Sequence, residues 1–325
     1  MRNEKNFFLL YYSHRVILIE QILQSVCKCT VFFSKLVDFD LAALYLTDMF
    51  IVKKILELQN LLRQKTSIGF VPTMGALHEG HISLIEKSKS ENETTVCSIF
   101  INPTQFNNLT DLEKYPVTID ADIEKLIGAK TDVLFLPSVE EMYPNGMENI
   151  PIYDIGYLDT VLDGKFRPGH FNGVSLIVHK LLNAVKPHKL YLGEKDFQQC
   201  LVIKRMIALQ NLQVEVITCP TLRETDGLAK SSRNTRLSIE ARAKAPLIYN
   251  CLLSFKDSFN TTTFHQLQQN WIQKLTQNGF EPEYIILANA DNLDILTEFD
   301  ESKKMVVLIA TFLDGVRLID NYRIN

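Results

Sequence analysis

From residue 65 onward, short runs rich in β-branched residues alternate with stretches whose apolar positions recur at helical spacing. A chain that switches repeatedly between these two periods is confined to right-handed βαβ units, and therefore to a mostly parallel sheet covered by helices. The strand-like runs are Ile68–Pro72, Thr95–Ile101, Val133–Leu136, Lys189–Leu192 and Val214–Thr218. Between them, Ile82–Lys89 sets Ile82, Leu84 and Ile85 before a charged stretch, and Val174–Val185 aligns Val174, Ile177, Val178, Leu181, Leu182 and Val185 on one face, as a well-buried helix requires.

The texture changes near 238–242, where Ser238-Ile-Glu-Ala-Arg242 reads as a helix start and glycine becomes scarce. Two helices are expected at about 240–256 and 263–278, then strands at Tyr284–Ala288, Val306–Phe312 and Val316–Ile319, with Asp314-Gly315 as a hairpin turn. The expected organisation is α/β: a mostly parallel sheet domain over 49–237 and a smaller α+β C-terminal domain over 238–325.

Residues 1–48 read as an N-terminal extension, disordered or produced by a misplaced start. Arg2, Lys5 and the run Phe7–Tyr12 imitate a signal peptide, but His14 and Arg15 cut the apolar run short. No uncharged stretch here approaches the roughly 20 residues of a membrane span. Met49 precedes an amphipathic stretch, Val52–Arg63, expected to be the first helix, and translation is expected to begin at Met49.

The formal charge of -4, from 34 basic and 38 acidic side chains, offers no broad positive field for nucleic acid or an anionic membrane, so neither is an expected partner. Six scattered cysteines, of which only Cys27 and Cys29 lie close together, look like reduced cytosolic thiols.

Four segments carry chemistry, each following an expected strand. In Phe70-Val-Pro-Thr-Met-Gly-Ala-Leu-His-Glu-Gly-His81 an apolar strand ends in a glycine-bearing turn that opens a helix. At the carboxyl edge of an open α/β sheet, such a helix N-terminus offers N–H groups and a positive dipole to a phosphate. Gly75 and Gly80 let the backbone approach it, and His78 and His81, three apart, can both donate to charge developing there. H-x-x-H without a third ligand makes a poor zinc site. Neither a Walker loop nor a G-x-G-x-x-G fingerprint is present, so glycine spacing alone does not settle the purpose.

Ser98-Ile-Phe-Ile-Asn-Pro-Thr-Gln-Phe106 brings Asn102 and Gln105 to the same edge, as ligands for a small polar substrate or as a plain Asn-Pro turn. Tyr191-Leu-Gly-Glu-Lys-Asp-Phe-Gln-Gln199 supplies Lys195 for a phosphate and Asp196 for a ribose, or merely caps a helix. Asp226-Gly-Leu-Ala-Lys-Ser-Ser-Arg-Asn234 offers a lysine, two hydroxyls and a guanidinium suited to a triphosphate. Upstream, Phe166-Arg-Pro-Gly-His-Phe-Asn-Gly173 is a cationic loop that serves as a flap or an interface; its sequence does not separate the two.

In order, Pro72–His81, Ile101–Phe106, Arg167–Phe171, Gly193–Gln199 and Ser231–Asn234 closely resemble the pantothenate synthetase (pantoate-beta-alanine ligase) family of the H-x-G-H nucleotidyltransferase superfamily, from about Met49 to the C-terminus. The resemblance implies a Rossmann-like catalytic domain, a C-terminal lid domain, a homodimer in the cytoplasm, and ATP as substrate with Mg2+. It also implies a two-step reaction: the pantoate carboxylate attacks the α-phosphorus of ATP, releasing pyrophosphate, and the beta-alanine amine then displaces AMP from pantoyl adenylate. Carried over by position, Met74, Gly75, Ala76, Leu77, His78, Glu79, Gly80 and His81 contact ATP, His81 as proton donor with His78 its partner at the phosphates. The nucleotide is further bound by Gly193, Glu194, Lys195 and Asp196, and by Leu222, Lys230, Ser231, Ser232 and Arg233. Lys195 and Arg233 join the histidines as catalytic groups, Gln105, Gln199 and Asn102 hold pantoate, and Gln105 also serves beta-alanine.

Two positions depart from the pattern. Lys230 replaces what is often an apolar residue, and either adds a phosphate contact or faces solvent; near Asp120-Ala-Asp122 family members can carry more acid, which leaves the carboxylates supporting magnesium undefined. Two rival readings stand beside the ligase. An adenylyltransferase of the same superfamily would leave the nucleotidyl group on another small substrate, and a nucleotide-binding scaffold would have lost the chemistry.

Overall fold

The structure, a computed structural model, describes residues 49–325 apart from 107–111, 114, 149–150 and 260. The expected N-terminal extension, with Cys27 and Cys29, lies outside the described residues.

Ten strands and ten helices are described in chain order, joined by short 3-10 turns. They are β1 (Phe50–Val52), α1 (Ile55–Leu62), β2 (Ile68–Thr73), α2 (Glu79–Glu91), β3 (Thr94–Ile99), α3 (Ile119–Gly128), β4 (Val133–Phe135), α4 (Val139–Met142), α5 (Leu162–Phe166), α6 (His170–Val185), β5 (Lys189–Gly193), α7 (Phe197–Leu209) and β6 (Glu215–Cys219). Then come α8 (Ile239–Lys244), α9 (Leu247–Ser258), α10 (Phe264–Gln277), β7 (Phe280–Asn289), β8 (Ile295–Leu296), β9 (Met305–Leu313) and β10 (Val316–Arg323).

Strands β1 to β6 form one parallel sheet in the order β1-β4-β3-β2-β5-β6. Because alternate strand residues point to opposite faces, each strand feeds two cores. Phe70, Val96, Phe135 and Leu190 pack with Leu58, Leu181 and Met206 from α1, α6 and α7. Val71, Cys97, Leu134 and Tyr191 pack with Ile85 and Leu126 from α2 and α3. A sheet buried on both faces explains why its strands read as apolar runs rather than clean alternations.

The strand order runs outward from β2 through β3 and β4, then returns to place β5 and β6 on the other side of β2. The crevice beyond the carboxyl ends of β2 and β5 is therefore the topological switch point, where ligands bind in open α/β sheets.

The C-terminal residues form a separate antiparallel sheet, β10-β9-β7-β8, backed by α9 and α10 around a core of Phe255, Leu275, Phe280 and Val307. Asp314 and Gly315, both at positive φ, make the β9–β10 hairpin turn expected from Asp-Gly. Among the described residues no helix is long and apolar enough to cross a membrane. Cys97, Cys200, Cys219 and Cys251 are buried and unbridged.

Several element boundaries differ from expectation. Val52 belongs to an edge strand, not the first helix: Phe50-Ile-Val52 pairs in parallel with β4, and α1 begins three residues later, where the Ile55 N–H donates to Glu141 Oε1 at 2.9 Å. The helix expected over 240–256 is broken at Ala245-Pro246, because a proline has no N–H to continue the ladder. β10 extends to Arg323, four residues beyond the expected Ile319, since Asp320 and Asn321 are buried polar residues that do not look like strand core.

Candidate active site

A cavity of about 600 Å³ opens at the switch point. Lining it are Met74, His78, Gly80 and His81 from the β2–α2 turn and the first turn of α2, Gln105 from beyond β3, and Gly193, Lys195, Asp196 and Gln199 from the end of β5 to the first turn of α7. Leu222, Lys230, Ser231, Ser232 and Arg233 close it from the segment after β6. Residues expected in four separate segments of the sequence thus face one volume.

The two histidines are held by an unusual cap. His78 is the N-cap residue of α2, and its Nδ1 accepts from the Gly80 N–H at 3.1 Å. His81 Nδ1 accepts in turn from the His78 N–H at 3.3 Å. Two of the orphan amides of a helix start are satisfied reciprocally, with imidazoles in place of the usual hydroxyl and carboxylate of a capping box. An Nδ1 that accepts carries no proton, so each neutral ring is fixed in the tautomer with hydrogen on Nε2, assigned from its partners.

Burial, reinforced by the charge of Lys195, pulls the His78 imidazole down to about 4. Burial, His78 and Lys195 together pull His81 down to about 3. Both rings are therefore neutral at pH 7, with centroids 4.0 Å apart, and each leaves an Nε2–H for the cavity it lines.

The glycine turn itself does not present free amides. Gly75 sits at φ 83 and Ala76 at φ 49, and the Ala76 and Leu77 N–H groups donate to the two oxygens of Asp122 at 2.9 and 2.7 Å. Lys125 Nζ donates to the Leu77 carbonyl from the same helix, α3. Gly75, Ala76 and Leu77, expected at the nucleotide, stand behind the cavity wall and shape it. Asp122, in the stretch where the sequence leaves the magnesium-supporting carboxylates undefined, is fully buried and occupied with backbone amides and the Thr118 hydroxyl.

Asn102, expected as a substrate ligand, is likewise buried behind the wall. Its Oδ1 accepts from Tyr143 Oη at 2.6 Å, while its Nδ2 donates to the Gly173 carbonyl at 3.1 Å and Gln105 Oε1 at 3.3 Å. It holds Gln105 rather than lining the cavity. The Gln105 carbonyl meets His170 Nδ1 at 2.8 Å, and Arg167 lies 3.0 Å from His170 Nε2. Burial and Arg167 lower His170 to about 4, so it too is neutral. The 166–173 segment is therefore a cavity wall formed by the end of α5 and the start of α6.

Glu79 and Glu194 are directed elsewhere. Glu79 pairs with Lys230 at 2.8 Å, and Glu224 pairs with the same ammonium at 3.1 Å, so Lys230 is clamped between two carboxylates instead of facing solvent. Glu194 accepts from Arg323 Nε at 2.6 Å. Lys195 Nζ lies 4.0 Å from Asp196 Oδ1, its side chain largely enclosed.

Sequence reasoning missed other residues at this site. Tyr115 lines the cavity and bonds to Ser232, but it lies in a stretch with no periodicity to flag it. Asp163, Tyr284 and Arg317 line its far side, with Asp163 Oδ1 taking Tyr284 Oη at 2.9 Å and Arg317 Nη2 at 2.6 Å. Burial alone would raise the Asp163 carboxyl, but Arg317 holds it below its ordinary value. These partners lie more than a hundred residues apart, so no local pattern could join them.

The profile of the family Pantoate-beta-alanine ligase matches residues 50–323. Curated relatives include pantothenate synthetase of Cytophaga hutchinsonii, 44% identical over 264 residues covering 80% of this chain and 92% of the relative. That of Bacteroides fragilis is 45% identical over 268 residues, covering 82% and 94%. Among solved structures, pantothenate synthetase from Thermus thermophilus superposes with a TM-score of 0.79 at 38% identity, covering 85% of this chain and 99% of that one. Pantoate-beta-alanine ligase from Francisella tularensis, complexed with beta-gamma ATP and beta-alanine, superposes with a TM-score of 0.72 at 38% identity over 85% and 97%. With the fold, the cavity and these relatives in agreement, the chain belongs to the pantoate-beta-alanine ligase family.

Proposed function

We propose that this cavity joins pantoate to beta-alanine at the expense of ATP, through a pantoyl-adenylate intermediate. In the first half, a pantoate carboxylate oxygen attacks the α-phosphorus and pyrophosphate leaves. In the second, the beta-alanine amine attacks the activated carbonyl carbon, AMP leaves, and the amine gives up a proton. The observation that carries the reading is the reciprocal histidine cap, which holds two neutral Nε2–H donors at one point in reach of the Lys195 charge. Such fixed donors stabilise charge that develops on a phosphate in the transition state and need no reorganisation to do so.

In this reading His81 and His78 donate to the α-phosphate, while Lys195 and Arg233 balance the departing pyrophosphate with help from Ser231 and Ser232. Gly193, Asp196 and Leu222 hold the nucleoside. Gln105 and Gln199 hold pantoate, with Gln105 also meeting beta-alanine; Gln105 Nε2 lies 2.8 Å from Met74 Sδ, a weak acceptor that a substrate oxygen can replace. Asn102 and Asp122 act by holding these groups in place. Alignment of two bound substrates supplies the remainder, without a covalent enzyme intermediate.

Among the described residues no three His, Cys, Asp or Glu converge to hold a metal. Mg2+ would enter with the nucleotide on its phosphate oxygens and supply charge neutralisation there; the chain's own contribution is the cationic ring of Lys195 and Arg233. Residues 49–237 are read as the catalytic domain, 238–325 as a lid, the assembly as a homodimer and its compartment as the cytoplasm; the family resemblance supports all four.

Incubation with ATP, pantoate and beta-alanine tests the reaction. AMP release that requires both acids supports the ligase. An adenylyltransferase would also release pyrophosphate but keep AMP on its product, and no nucleotide turnover at all would leave only a binding scaffold.

A further inference from the structure

The outer edge of the C-terminal sheet meets the loops that carry the cationic groups. Among the described residues β10 pairs with β9 on one side only, yet its residues Asp320 and Asn321 are 3% and 4% exposed. Buried polar residues on an edge strand need partners, and these two find them on two different loops.

Asn321 Nδ2 donates to the carbonyls of Glu194 and Lys195, each at 2.9 Å. Those carbonyls precede the first turn of α7, where the chain turns sharply to aim Lys195 into the cavity. Asp320 grips Arg223 through two bonds of 2.6 and 3.1 Å, and Arg223 also donates to the carbonyls of Gly227 at 3.1 Å and Asn321 at 3.3 Å. The Arg223 guanidinium stacks 4.1 Å from the centroid of Tyr249. Arg223 stands at the base of a tight hairpin in which Lys230 N–H returns to the Leu222 carbonyl at 2.9 Å, and that hairpin leads directly into Ser231–Arg233.

We infer that Asn321 is a positioning residue for the Lys195 loop, with Asp320 beside it as the anchor that ties the same strand to the Lys230–Arg233 loop. Two adjacent side chains thereby fix, beyond the ends of the paired strands β5 and β6, the spacing between two phosphate-facing groups. The inference rests on the ligase reading for its kinetic consequence, but not for its effect on nucleotide binding.

Asn321→Leu tests it, since leucine keeps the volume and removes both donors. Losing two hydrogen bonds should weaken ATP binding by calorimetry about tenfold or more. The KM for ATP should rise with it, while the turnover of saturating, presynthesised pantoyl adenylate by beta-alanine changes by less than about twofold, because that half-reaction has no pyrophosphate to balance. Unchanged ATP affinity, or an equal loss in both halves, overturns the assignment; the second outcome marks a merely structural residue. Asn321→Ala serves if the leucine variant does not fold. Should the wild-type protein release no AMP, the ligase reading fails, while the ATP affinities of the two proteins still judge Asn321.

Discussion

An imidazole donates or accepts according to which nitrogen the protein has already occupied. At His78 and His81 the main chain takes both Nδ1 atoms, and burial keeps both rings neutral, so each can only present Nε2–H to a ligand. His81→Ala should therefore lower the adenylation rate about 10²–10³-fold, the usual loss for one preorganised donor; near-normal AMP formation would remove His81 from the mechanism. Because kcat/KM reports ionisations of the free enzyme, its pH profile should show no histidine limb near 6.5, and protonation of these rings should enter only near 4. A limb between 6 and 7 that disappears in the His81→Ala protein would contradict the neutral-donor account. Asp122 makes a different claim, since its two oxygens hold the Ala76 and Leu77 amides. Asp122→Asn sets an amide N–H against one of those N–H groups, at a cost of about 1–3 kcal/mol for the unsatisfied pair. Turnover should drop while the Mg2+ concentration for half-maximal activity stays put; a shifted Mg2+ requirement would make Asp122 a metal support after all.

The start of α6 shows how an element rather than a residue sets the substrate side of the cavity. Gly173 passes so close to the 3-10 turn Pro103–Gln105 that an added Cβ would lie 2.4 Å from the Thr104 carbonyl oxygen and 2.7 Å from Gln105 Cα. Backbone cannot yield as a side-chain tip does, so Gly173→Ala should displace Gln105, cost about 1–3 kcal/mol, and raise the KM for pantoate more than that for ATP. Equal effects on both would mean the turn does not carry the acid subsite. The glycine itself was visible in the sequence, within a cationic loop, but its reason was not, because the close approach joins segments some seventy residues apart. The same distinction runs through the fold. Strands β2 to β6 were legible because a sheet buried on both faces needs continuous apolar runs, and His78, His81 and Lys195 were legible because each follows such a run. β1 was not: three residues carry too little periodicity to be told from the helix beside them, and only pairing with β4 declares them a strand. Asn102 looked like a ligand because it is a polar residue near the right motif; in the fold its side chain is buried against Tyr143, Gly173 and Gln105.

At the scale of the whole molecule, the cavity concentrates neutral histidines, and that links its architecture to acid stability. His78 and His170 are lowered to about 4 and His81 to about 3, all chiefly by burial, against an ordinary value of 6.5. As pH falls below 6.5 the unfolded chain takes up protons at these sites while the folded chain does not. The unfolded state then binds more protons, so stability must fall with pH. The contribution is fully present above about 6.5, and is lost progressively as pH drops through 4 and toward 3, with a slope of at most about 1.4 kcal/mol per pH unit for each histidine. Urea unfolding at pH 7.5, 5.5 and 4.5 should reveal this loss, and His170→Gln, which keeps a polar side chain beside the Gln105 carbonyl, should remove close to one proton's share of the slope. An unaltered slope would mean that His170 is solvated in the folded protein. ATP should oppose the loss by mass action, since it binds the folded state alone. Because the backbone already occupies both Nδ1 atoms, His78 and His81 meet a phosphate as neutral Nε2–H donors and take up no proton on binding, so the protection by ATP should not grow as pH falls from 7.5 to 5.5. Protection that rises steeply over that range and is levelled by His81→Ala would mean that the rings are protonated against the phosphate, and would contradict the neutral-donor account.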